Sequence, residues 1–128
     1  GKPVVLYFYP KDDTPGCTTE ACSVRDNWSV LEKKVQIFGI SVDSIASHKK
    51  FAEKYQLLFP LLSDKDHKVV NAYGVWRKKK FMGREYNGIE RTSFLINPKG
   101  IVEKIYKKVN PTTHIADVLA DLKVLKKD

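Results

Sequence analysis

The sequence predicts an α/β fold, a central mixed β-sheet flanked by helices, and three features carry that prediction. Two short, continuous apolar runs, Val4-Val5-Leu6-Tyr7-Phe8-Tyr9 and Val35-Gln36-Ile37-Phe38-Gly39-Ile40-Ser41-Val42, have the character of strands buried on both faces. Each is followed by a segment whose apolar residues recur at helical spacing. Towards the end, two strand-like runs flank a turn containing Pro and Gly, which adds an antiparallel hairpin before a closing helix.

Taken in order, Pro10 ends the first strand, and the polar loop Lys11-Asp12-Asp13-Thr14-Pro15-Gly16 leads into Cys17, Ala21, Val24, Trp28 and Leu31. Their spacing predicts one amphipathic helix beginning near Cys17. After the second strand, Ser44 is placed to cap a helix with His48, Phe51, Ala52 and Tyr55 along one face. Residues 58–62 are a short apolar segment, and residues 68–73 suit a helical turn or two. The basic, glycine-punctuated stretch 74–88 reads as a surface excursion, and Arg91 follows it. Thr92-Ser93-Phe94-Leu95-Ile96 and Ile101-Val102-Glu103-Lys104-Ile105-Tyr106 flank the tight turn Asn97-Pro98-Lys99-Gly100. The last helix is expected to be capped by Thr112 or Thr113 and striped by Ile115, Val118, Leu119, Leu122 and Leu125. Thioredoxin-like folds are assembled from this order of elements.

At 128 residues the chain suits a single domain over residues 1–128 with a real core. No apolar run approaches the roughly 20 residues that span a bilayer, and the opening lacks a signal-peptide layout, so a soluble, cytoplasmic protein without a membrane partner is expected. Gly1-Lys2-Pro3 moves straight into a strand, which leaves room for missing residues ahead of it and a targeting segment among them. The net charge of +8 is partly gathered in Arg77-Lys78-Lys79-Lys80 and around Lys123, Lys126 and Lys127. Because the basic run is not interleaved with repeated aromatics, a solvated face is favoured and no specific nucleic acid is expected. His48, His67 and His114 are widely separated and lack the i, i+4 spacing of a helical zinc pair. Asn27-Trp28-Ser29 matches a glycosylation sequon, but its place inside a predicted helix makes the match a chance one.

Two cysteines are too few for the disulfide framework of a small secreted domain. Cys17 falls where a loop becomes a helix, among unpaired N–H groups at the positive end of the macrodipole, which favours the thiolate that attacks a peroxide oxygen. Attack leaves a sulfenic acid that a second thiol must resolve, and Cys22 is the other thiol of the chain. In a regular helix five positions span about 7.5 Å of rise and about 140° of rotation. A disulfide needs Cα atoms closer than about 7 Å with converging Cβ vectors, so it can form only if the first turns unwind.

The segment Tyr7-Phe8-Tyr9-Pro10-Lys11-Asp12-Asp13-Thr14-Pro15-Gly16-Cys17-Thr18-Thr19-Glu20-Ala21-Cys22 resembles the active-site region of the bacterioferritin comigratory protein or peroxiredoxin Q family. Pro10, Thr14 and Cys17 carry its Pro-x-x-x-Thr-x-x-Cys signature. The resemblance continues through Ser41-Val42-Asp43-Ser44, Phe59-Pro60-Leu61-Leu62-Ser63-Asp64, Tyr73-Gly74-Val75 and Glu90-Arg91-Thr92-Ser93-Phe94-Leu95-Ile96, and so covers nearly the whole chain. It implies a peroxidase for hydrogen peroxide and organic hydroperoxides, with Cys17 as peroxidatic and Cys22 as resolving cysteine. It implies Arg91 beside the thiolate, Thr14 hydrogen-bonded to the thiolate or the peroxide, Pro10 packed over the sulfur, and the Cys17 N–H completing the donor set. No metal or organic cofactor is implied; thioredoxin or a similar dithiol is the reductant. A resolving thiol within the chain makes a monomer the expectation. Members usually have a further N-terminal strand or hairpin, without which a sheet edge would be uncovered.

Two other classes compete. A general thiol–disulfide oxidoreductase normally uses Cys-x-x-Cys, closer than the spacing here. A basic nucleic-acid-binding domain would show affinity falling steeply with salt and little response to peroxide. If the disulfide reading is right, oxidation melts residues 17–25; amide exchange there equally slow in the reduced and oxidised protein would contradict it.

Overall fold

The structure, a computed structural model, describes residues 2–125. Its elements run β1 (Val4–Phe8), α1 (Pro15–Asp26), α2 (Trp28–Lys34), β2 (Gln36–Ser41), α3 (Ile45–Tyr55), β3 (Leu61–Ser63), α4 (Lys68–Ala72), β4 (Trp76–Phe81), β5 (Arg84–Ile89), β6 (Thr92–Ile96), β7 (Val102–Lys107) and α5 (His114–Leu125). Five strands form one sheet in the order β3-β2-β1-β6-β7. Strands joined through helices, β1 with β2 and β2 with β3, pair in parallel; β6 runs antiparallel to both β1 and β7. The mixed sheet is the one expected from the order of elements.

The central strand, β1, is covered on both faces, and its side chains alternate between two cores. Val5, Tyr7 and Tyr9 pack with Cys17, Ala21 and Val24 of α1, Leu31 of α2, Phe51 of α3, and Ile115, Val118 and Leu122 of α5. Phe8 and Leu6 face the other way, against Val70 of α4, Val75, Ile89 and Phe94. Ser44 caps α3 as expected, its hydroxyl accepting the Ser47 N–H at 3.1 Å.

One local expectation is corrected and two are made more specific. The single helix through Leu31 is two helices, because the Asn27 amide donates to the Ser23 carbonyl at 2.8 Å and its backbone leaves helical geometry at φ −103°, ψ 10°. Such a short polar side chain competes for the backbone and re-aims the chain. The surface excursion at residues 74–88 has regular structure: β4 and β5 form an antiparallel hairpin turning at Met82 and Gly83, both at positive φ. At the start of α5, Thr113 directly precedes the first helical residue, one of the two positions expected for the cap, and its carbonyl accepts the Asp117 N–H at 3.2 Å, while just before it the Thr112 N–H donates to Asn110 Oδ1 at 2.9 Å. The side chains of Lys123 and Leu125, and all of Lys126 and Lys127, lie outside the described residues. Among the described residues no helix is long and apolar enough to cross a membrane.

Gly39 shows how tightly β2 meets β1. It pairs with Tyr7, and a Cβ placed on it would meet the Tyr7 ring and the Leu61 side chain at 2.9 Å. Gly39→Val is therefore expected to lower stability by roughly 1–3 kcal/mol through overpacking, read as a reduced urea midpoint with unchanged slope.

Candidate active site

Local backbone rules place Cys17. Asp13 turns at φ 55°, Thr14 is extended at the N-cap, and Pro15 opens α1 with a φ suited to a first helical position. The first bond of the ladder runs from the Thr18 N–H to the Thr14 carbonyl at 2.8 Å, leaving the Gly16 and Cys17 N–H groups ahead of it. The helix thus starts two residues before Cys17, whose thiol sits in its first turn, 2% exposed. Arg91, in the link between β5 and β6, donates from Nη2 to Cys17 Sγ at 3.1 Å and from Nη1 to Glu20 Oε2 at 3.2 Å. Gly16 makes room for this guanidinium, since a Cβ there would lie 3.0 Å from Nη2.

Glu20 is fully buried, and its second oxygen, Oε1, has no hydrogen-bond partner among the described residues. Burial pushes its carboxyl up to about 7, against the opposing pull of Arg91. The Tyr7 hydroxyl, also buried and without a partner, is pushed well up by burial and by the charges of Glu20 and Cys17. Lys79 reaches across the hairpin to donate to the Ile89 carbonyl at 2.8 Å, and its stem occupies the space Gly88 leaves open. Burial and the Arg91 charge pull its ammonium down. Burial also brings His114 down to about 4; its Nε2 lies 2.8 Å from the Ser93 hydroxyl.

A second buried network ties the loop before α1 to α3. Asp12 accepts from the Tyr9 hydroxyl at 2.6 Å and from the Ser47 hydroxyl and His48 Nδ1, both at 2.7 Å. The Asp12 N–H donates to Asp43 at 2.9 Å. Asp12, Asp43 and His48 bring three metal-ligating atoms within 4.8 Å of one another. Their acceptor oxygens are, however, already engaged, those of Asp12 by Tyr9, Ser47 and His48 and that of Asp43 by the Ser41 hydroxyl and the Asp12 N–H. His48 Nε2 also faces the Leu62 carbonyl at 3.1 Å, so both ring nitrogens meet acceptors and the ring carries both protons. Burial pulls His48 down, but the bond to Asp12 outweighs it and raises the imidazole; a cationic ring is a poor metal ligand. The cluster serves the loop.

The structure brings Cys17 and Arg91 together as expected, from positions far apart in sequence. Cys22 is half-buried in the same helix, and both thiols are free. Of the two partners expected for the Thr14 hydroxyl, the sulfur is not the one it donates to: its proton goes to the Lys11 carbonyl at 2.9 Å. Its one proton is spent on closing the loop, which leaves its oxygen as an acceptor. Pro10 is half-buried at the end of β1. Glu20, Gly16, Tyr7 and Lys79 went unnoticed. For Glu20 a signal existed, because it lies three residues after Cys17, on the face that Ala21 and Val24 bury.

A buried thiol in the first turn of a helix beside an arginine, on a thioredoxin-like sheet, is the arrangement of a thiol oxidoreductase of the peroxiredoxin class. The AhpC/TSA family matches residues 1–105. Peroxiredoxin Bcp of Bacillus subtilis is 52% identical over 124 residues, covering 96% of this chain and 79% of the relative. Peroxiredoxin Bcp of Escherichia coli is 48% identical over 124 residues, covering 96% and 80%. The solved structure of Xanthomonas campestris bacterioferritin comigratory protein superposes with a TM-score of 0.90 at 41% identity, covering 97% of this chain and 80% of that one. The chain belongs to the AhpC/TSA family, within its Bcp and peroxiredoxin Q branch.

Removing the guanidinium should expose what it holds. Arg91→Met leaves Glu20 buried without its counter-ion, so its carboxyl is expected to titrate above about 7, and stability at pH 8 to fall by roughly 3–5 kcal/mol. Carboxyl NMR and urea unfolding at pH 6 and 8 check both.

Proposed function

We propose that this peroxiredoxin reduces hydroperoxides at Cys17, and the Arg91–Cys17 contact at 3.1 Å is the observation that carries the reading. A guanidinium keeps its charge at every relevant pH, so it favours the anionic sulfur and stays available to an incoming peroxide oxygen. In the step itself the Cys17 thiolate attacks the terminal oxygen of ROOH. An S–O bond forms as the O–O bond breaks, the sulfur gives up two electrons, and the departing RO⁻ takes a proton to leave as ROH. Arg91 and the Cys17 N–H, which precedes the helical ladder, are the donors for the charge that moves onto oxygen. Thr14, its proton committed to the Lys11 carbonyl, acts as acceptor for the peroxide O–H. Pro10 covers the sulfur and limits water.

Cys22 then resolves. Its sulfur attacks the Cys17 sulfenic acid, an S–S bond forms, and the hydroxyl leaves as water after protonation. Both residues lie within α1, about 140° apart around a regular helix, so resolution requires α1 to unwind. Thioredoxin or a similar dithiol returns the disulfide to two thiols by exchange. The Xanthomonas campestris relative has alkyl peroxide reduction activity, which supports organic hydroperoxides as substrates here. With the resolving thiol in the same chain, we take the working form to be a cytoplasmic monomer.

Cys17→Ser is expected to abolish turnover. Cys22→Ser should still consume about one equivalent of peroxide per Cys17 but lose thioredoxin-dependent cycling, as seen by NADPH-coupled turnover and intact mass. Sustained turnover by Cys17→Ser would end the proposal.

A further inference from the structure

We propose that Glu20 is a positioning residue for the resolution step: its buried, half-partnered carboxylate, lying between the two cysteines, loads α1 for the unwinding that a Cys17–Cys22 disulfide requires. This rests on the reading that those two sulfurs join.

The geometry sets up a conflict inside one helix. Glu20 is 0% exposed, Oε2 has the Arg91 guanidinium, and Oε1 has nothing. A buried charged oxygen without a partner destabilises the state that buries it, whereas unwinding α1 returns both oxygens to water. The burden falls on the segment that must open, residues 17–22, while the sheet beneath does not share it. The ionised carboxylate therefore favours the open form and the protonated acid favours the closed one.

The groups facing Glu20 come from several elements. Cys17 lies on its own helix, Arg91 in the link between β5 and β6, and Tyr7 on β1. Behind Arg91 stand Lys79 of β4 and His114 of α5. Between pH 6 and 8 Arg91 remains a cation, while Tyr7, pushed up, and His114, held at about 4, stay neutral. Burial raises Glu20 from an ordinary 4.5 to about 7. A raised carboxyl stabilises the folded helix fully below its ordinary value, and that contribution is lost as pH climbs through about 7. The unwinding equilibrium should accordingly rise roughly tenfold from pH 6 to pH 8 and then level off.

The test compares the whole chain with its Glu20→Gln variant. In the reduced proteins, exchange of the amides of residues 18–25 is followed by mass spectrometry at pH 6, 7 and 8. After one peroxide pulse, disulfide formation is followed by acid quench; Cys22 is common to both proteins and cancels in their ratio. The wild-type to variant ratio is expected to rise about tenfold from pH 6 to pH 8 in both measurements. A ratio that stays flat in folded protein overturns the proposal. Glu20→Met, which removes the orphan oxygen altogether, should match Glu20→Gln and serves if the amide fails to fold. Failure of the underlying reading looks different: no Cys17–Cys22 disulfide forms at any pH, while the exchange ratio still reports on Glu20.

Discussion

One guanidinium organises the site. Arg91 divides its donors between a sulfur and a carboxylate that the chain buries one helical turn apart, and among the described residues the second oxygen of that carboxylate has no other partner. The charge of Arg91 thus serves two ends that pull against each other. It lies against the sulfur on which the proposed chemistry rests, and it makes the burial of Glu20 tolerable. Gly16 belongs to the same constraint, since any side chain there would lie against Nη2.

The scaffold's task is to bring Arg91 and the start of α1 together. β1 delivers the loop 9–14 from the middle of the sheet, and β6, its antiparallel neighbour, begins just after Arg91. The β4–β5 hairpin approaches from the other side, where Lys79 grips the Ile89 carbonyl two residues before Arg91. The loop is held in turn by Asp12, whose carboxylate gathers Tyr9, Ser47 and His48 and so fastens it to α3. In the proposed resolution step these are fixed supports around a helix that unwinds. The break at Asn27 helps, because α1 ends before α2 begins and can unwind without dragging Leu31 out of the core.

The proposed unwinding sets stability and reactivity against each other in α1. Its buried face combines Ala21 and Val24, which hold it to the sheet, with Glu20, which does not. The second core, around Phe8, Ile40 and Phe94, lies on the opposite face and is untouched by that conflict.

Much of this was legible in the residues. The apolar runs gave β1 and β2, helical spacing gave α1, α3 and α5, and the Pro-Gly turn gave β6 and β7. Cys17, Thr14, Pro10, Arg91 and Cys22 stood out through a signature and its resemblance. The β4–β5 hairpin did not, because its strands carry lysine and arginine where alternation would show, and its Met-Gly turn is not a usual hairpin signal. The double helix at Asn27 was hidden by an apolar periodicity that runs through both halves. What the sequence by itself determined is the order of elements and the residue types that do the chemistry, since both depend on local spacing. Only the tertiary structure decided which acid is buried, which oxygen lacks a partner, and that Thr14 spends its proton on its own loop. Those outcomes depend on what surrounds each atom in space, and a linear pattern carries no record of desolvation.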